Sequence, residues 1–304
     1  MKDLIEKALS AIIGWIGELL NTIIEFLLME WLAPNVTKNL ETGISLYNGI
    51  IGNAVDILLM TPAEWNDDGW MFIIEEVYPV FLVVACPLIV IFWLYNLSKE
   101  TIDPRMTGNL RMETLLFAFF KLSIAEFVTV FSPFIIWGGF GFIDLLTGGW
   151  ISRNAGISSG LGFTEAQVRR LPGLILAITY LLSLICIAVY IIVPCIISYT
   201  ATVRMYKIIV AAPFGTLSSS TITGSREMSH TAMSFWKFII HVILEGVMIL
   251  LVLALFAQMQ SSLVIIDLDG NLDIMGKILN RIMVAFLCLG GVKGADTALQ
   301  KFGL

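Results

Sequence analysis

Charge is what this sequence has least of. Of its 304 residues only 14% are Asp, Glu, Lys or Arg, against roughly a quarter in an ordinary soluble domain. A chain so poor in polar side chains cannot cover a water-soluble enzyme of this length. The net charge of −6 excludes a globally basic nucleic-acid binder and leaves room only for a local basic patch. Histidine is nearly missing as well, with two in the chain. Cys86, Cys186, Cys195 and Cys288 each lie inside an apolar run, and no Cys-x-x-Cys pair occurs. Such cysteines act as small hydrophobes, and neither a metal site nor a cofactor is expected. The sequence also lacks Gly-x-x-x-x-Gly-Lys, His-Glu-x-x-His and Gly-x-Ser-x-Gly, so no residue set argues for an enzyme. A secretory leader is not expected, because Lys2, Asp3, Glu6 and Lys7 mix signs and Glu18 interrupts the apolar stretch that follows.

What is present is hydrophobicity, at 58% of residues and a mean hydropathy of +0.88. Spanning a bilayer takes roughly 20 mostly apolar residues in a helix. Five stretches reach or approach that length: Trp70–Leu97, Leu115–Trp137, Leu174–Thr200, Ala232–Met259 and Ile282–Val292. The last needs Ile274–Leu279 to complete it, with Lys277 and Arg281 snorkelling to the interface. An all-α, polytopic membrane helical bundle follows, in contact with the lipid bilayer. Pro79, Pro87, Pro133 and Pro194 fall within spans, where neighbouring groups can satisfy the freed carbonyls. Gly138-Gly139-Phe140-Gly141 reads as a bend at the membrane surface, and Thr216–Ser225 as the most loop-like segment of the membrane region.

Residues 1–69 form a separate acidic, amphipathic helical region ahead of the membrane domain at 70–304. Asp3, Glu6, Ser10, Gly14, Glu18, Asn21 and Glu25 trace one polar stripe on an otherwise apolar helix. Ile44–Met60 is a second amphipathic stretch, and together they predict a peripheral helical hairpin. Lys and Arg favour the loops Ser98–Met112 and Ala201–Thr231 and the tail from Lys293. That bias places the N-terminus outside and the C-terminus in the cytoplasm. No internal repeat stands out.

The fourth span carries the most informative pattern. His230, Ser234, Lys237, His241 and Glu245 fall within an arc of about 80° on a helix, a polar ridge that ends beside Gly246. A charge at mid-bilayer costs about 2.5–3.5 kcal/mol on insertion scales, so Glu245 should face protein or water. The ridge reads as a structural seam, as a subunit interface or wall of a hydrated passage, or as a His241–Glu245 proton relay. On the second span, Lys121 and Glu126 are separated by about 140° and cannot easily pair. Lys121 with Glu245 is the expected cross-helix pair. Arg204, Lys207 and Arg226 form a basic cytoplasmic cluster, which either fixes orientation and meets anionic headgroups or contacts nucleic-acid phosphate.

Several of these residues recur in one run of motifs. Arg204-Met205-Tyr206-Lys207 follows the third span, then Ala211-Ala212-Pro213 and the Ser/Thr-rich segment. Phe235-Trp236-Lys237 and Leu244-Glu245-Gly246 come next, and Gly290-Gly291-Val292-Lys293-Gly294-Ala295-Asp296 lies near the end. This pattern resembles the TrbL-type polytopic subunit of conjugative type IV secretion systems, in the versions carried by Gram-positive conjugative elements. The resemblance covers the last ~130 residues with some specificity, and upstream it rests on layout alone. It implies a five- or six-span bundle and places Arg204, Lys207, Pro213, Lys237, Glu245 and Gly246 at family positions. It also implies a non-enzymatic, oligomeric component of a channel for a relaxase–DNA substrate. Its partners would be other secretion subunits and a secretion ATPase, with transient contact to translocating DNA. The competing expectation is a subunit of a small-solute transporter or channel lined by the His241–Glu245 ridge.

Overall fold

The computed structural model describes residues 2–101, 108–147, 160–259, 263–266, 268 and 270–301. Side chains are described from Met29 onward, except at 100, 101, 108–111, 144, 146, 271, 296 and 300. Everything described is helix, turn or connecting coil. The elements run in order as α1 (Lys2–Leu59), α2 (Pro62–Trp65), α3 (Asp67–Phe72), a π-helical turn (Ile73–Val77), α4 (Tyr78–Thr101) and α5 (Gly108–Thr147). After these come α6 (Glu165–Val168), α7 (Gly173–Ala211), α8 (Phe214–Ser220), α9 (Arg226–Met259) and α10 (Asp273–Lys301).

Among the described residues, five helical stretches are long and apolar enough to cross a membrane: Asp67–Lys99, Met112–Ile143, Gly173–Ala211, Arg226–Met259 and Asp273–Leu299. The chain is therefore a multi-pass helical membrane protein. In the first two spans 11% and 17% of the apolar window is buried, against 39, 44 and 41% in the last three. The first two thus leave most of their surface, including Val83, Leu116, Phe117 and Phe120, for lipid.

The predicted N-terminal hairpin does not form. Both amphipathic stretches belong to one 58-residue helix with Pro34 inside it. Asn35 Nδ2 donates to the Trp31 carbonyl at 2.7 Å, in the turn that the proline ring crowds. The polar stripe over residues 3–25 lies outside the described side chains.

The prolines in spans have visible compensation. Pro133 leaves the Thr129 carbonyl without its helical donor, and Ser132 Oγ donates to that oxygen at 3.2 Å. Ahead of Pro79 the helix widens into a π-turn, in which the Tyr78 N–H bonds the Ile73 carbonyl. The tyrosine hydroxyl reaches across to the Val130 carbonyl.

Two units compose the chain. The first is built from 1–51, 156–196 and 256–289, the second from 52–155, 197–255 and 290–304. Neutral and charged polar contacts both hold the first. Asn39 Nδ2 donates to Ser183 Oγ at 3.2 Å, the Tyr47 hydroxyl to Cys288 Sγ at 3.8 Å, and the Tyr47 and Tyr190 rings sit 5.5 Å apart. Gly43 leaves room for this, since a Cβ there would press on the Tyr190 ring at 3.2 Å. Lys277 bonds Asp273 at 2.8 Å and the Gly162 carbonyl at 3.2 Å, and Arg281 reaches the Gly160 carbonyl.

In the second unit α8 packs against both α4 and α5, which also pack on each other. The segment expected to be the most loop-like is thus helical and inside, with Thr216, Ser219 and Ser220 buried. Its hydroxyls solve their own desolvation. Thr216 Oγ1 donates to the Pro213 carbonyl at 2.8 Å, Ser220 Oγ to Leu217 at 2.7 Å and Thr223 Oγ1 to Ile89 at 3.1 Å.

Candidate functional site

The site lies in the second unit and centres on Arg204. At about 1.5 Å rise per residue, the 39-residue α7 is about 58 Å long, well beyond a hydrocarbon core of about 30 Å. The sequence therefore places Arg204 beyond the third span, in a cytoplasmic basic cluster. The structure corrects this: α7 continues to Ala211 and Arg204 is 1% exposed, the bulkiest fully buried side chain described. Lys207 and Arg226 stay exposed, so the cluster loses its first member. Taking a guanidinium out of water costs several kcal/mol even after relaxation, and the surroundings offset that cost in three ways.

First, the carboxylate of Glu245 on α9 acts on Arg204 electrostatically; Glu245 is itself buried, at 6% exposure. Second, the guanidinium lies over the Phe140 ring, with Cζ 5.1 Å from its centroid, a cation–π contact worth up to about 2 kcal/mol when desolvated. Third, Gly246 supplies space, because a Cβ there would fall on Nη1 of Arg204. Among the described residues Nε, Nη1 and Nη2 of Arg204 have no hydrogen-bond acceptor. The pair is thus held by charge, ring face and close packing rather than by a bidentate fork.

Phe140 is the residue that sequence reading missed. The Gly138-Gly139-Phe140-Gly141 run forms no bend; it is interior to α5. Phe140 is fully buried, and a Cβ at Gly139 would meet Ile243 Cδ1 of α9 at 2.8 Å. In membranes small residues let helices approach closely. Gly139 is thus a point of close approach between α5 and α9, three residues along α9 from Gly246.

The rest of the polar ridge climbs α9 with falling exposure. His230, Ser234 and Lys237 are exposed, His241 is half-buried and Glu245 is buried. Ser234 Oγ and His230 Nδ1 lie 3.3 Å apart. Lys121 is not the partner expected for Glu245: its ammonium donates to the Gly224 carbonyl at 3.2 Å. Equal depth and opposite charge suggested that pairing, but the cation on which Glu245 acts is Arg204. Glu126 is exposed on α5, and the Pro213 carbonyl accepts from Thr216 in the turn that opens α8. No His, Cys, Asp or Glu cluster suited to a metal ion is found among the described residues.

Comparison of the chain with protein-family models, curated proteins and solved structures finds no match.

Proposed function

We propose that this chain is a membrane-embedded scaffold or channel subunit of a conjugative type IV secretion system. In this reading it is non-enzymatic and oligomeric. It supports transfer of a relaxase–DNA substrate alongside other membrane subunits and a secretion ATPase. One observation carries the reading. Arg204, Glu245 and Gly246 are positions through which the sequence resembles the TrbL-type subunits, and Arg204, some forty residues upstream of the other two, lies against them in one buried cluster. The N-terminus lies outside and the C-terminus in the cytoplasm. Lys207 and Arg226, exposed near the ends of α7 and α9, are the cations left to meet DNA phosphate in passing.

Deletion of the gene in its conjugative element, followed by measurement of transfer frequency, tests the proposal. Transfer should fall to background and return with the wild-type gene, but not with an Arg204→Ala or Glu245→Ala variant present at wild-type level in the membrane. Undiminished transfer in the deletion strain overturns it. The graded exposure of the ridge from His230 to Glu245 favours one second reading, a small-solute passage. Loss of uptake of a specific solute with conjugation intact would select that instead.

A further inference from the structure

Glu126 is the exception on a surface otherwise fit for lipid. In the second span it lies fourteen residues from Met112 and seventeen from Ile143. At about 1.5 Å per residue those distances are about 21 and 25 Å, so any slab of about 30 Å within the span contains it. The neighbouring span fixes the same depth. Trp93 Nε1 donates to the Ala118 carbonyl at 3.1 Å, and the Tyr78 hydroxyl to that of Val130. The two helices are therefore antiparallel, and Glu126 stands level with Val83, at the middle of Asp67–Lys99.

At that depth the side chain faces outward. Glu126 is exposed on a face shared with Ser123, Phe127 and Val130, which are exposed too. Lys121, the one cation of that span, is turned to the Gly224 carbonyl, and among the described residues no ion pair or hydrogen bond reaches Glu126. Ionisable side chains inside a membrane almost always face protein or water and pair there. Even a protonated carboxyl leaves its hydrogen-bonding capacity unmet in hydrocarbon.

We infer that this face of α5 docks a transmembrane helix of another protein, one that carries a Lys or Arg at mid-span. Charge decides the kind of partner: a lone carboxylate among apolar side chains calls for one cation at the same depth. A second copy is poorly suited, because a twofold contact of α5 on α5 brings two carboxylates together. Ser123, one turn before Glu126, is small enough to let a helix approach, and Phe127 and Val130 offer apolar packing around the pair. The inference rests on the span alone and is independent of any role in secretion.

The test uses the full chain, donor-labelled in phosphatidylcholine vesicles, and acceptor-labelled polyleucine helices of roughly 20 residues. Energy transfer should show the helix with a central Lys associating on the order of tenfold more tightly than an all-Leu helix or one with a central Glu. Glu126→Gln should lose that preference, and Glu126→Lys should reverse it in favour of the Glu helix. Moving the Lys two turns towards the end of the peptide should abolish it. Equal association of the Lys helix with wild type and Glu126→Gln, or a preference that Glu126→Lys does not reverse, overturns the proposal. An oligomer of the chain itself that Glu126→Gln dissolves would assign the face to a second copy and overturn it as well.

Discussion

In the unit built from 1–51, 156–196 and 256–289, neutral groups meet in the interior, Asn39 with Ser183 and Tyr47 with Cys288, while the half-buried Arg281 faces Tyr190 and Cys186. In the other unit the buried polar centre is ionic, Arg204 with Glu245, and its guanidinium donates no hydrogen bond among the described residues. Neutral pairs cost little to bury and contribute modestly to helix association, on average about 0.6 kcal/mol in a membrane protein. An ion pair carries a desolvation penalty that hydrophobic residues of the same volume avoid. The first kind of contact explains itself as packing. The second is more than stability requires, which is why it marks the site.

Three substitutions break or sharpen the contrast. Glu245→Leu leaves Arg204 buried without its compensating charge and should destabilise the full chain in detergent by about 3–5 kcal/mol, read by chemical unfolding. Gly246→Ala drives a methyl into the guanidinium and should cost about 1–3 kcal/mol as overpacking. Measured in an Arg204→Ala background the same glycine substitution should cost little, whereas an unchanged cost would place the clash elsewhere. Tyr47→Phe, at a neutral contact of the first unit, should cost about 0.6 kcal/mol. A loss as large as that of Glu245→Leu would erase the distinction between the two units.

The five spans were legible because apolar length is a one-dimensional signal, and the ridge on α9 because helical periodicity places its residues on one face. What was not legible depends on partners from other helices. Arg204 looked like a surface cation because hydropathy falls after Thr200, yet α7 continues and turns that side chain against α5 and α9. The Gly138–Gly141 run read as a bend because glycine weakens helices in water. Between packed membrane helices the same absence of Cβ admits Ile243 of the neighbour. Thr216–Ser225 read as a loop for its hydroxyls, which in the fold bond backbone carbonyls, mostly their own helix's. Two separate amphipathic stretches suggested a hairpin, but the helix runs through Pro34 from one to the other, since a single proline need not end a long helix.

The central claim is that Arg204 and Glu245, from different spans, act as one unit. A double-mutant cycle tests it most directly, with Arg204→Met, Glu245→Leu and the combined variant unfolded as full-length chains under one condition. The account predicts that the double variant is more stable than Glu245→Leu alone, with a coupling energy of about 2 kcal/mol or more. Effects that add within about 0.5 kcal/mol would mean that the two side chains do not interact, and would contradict it.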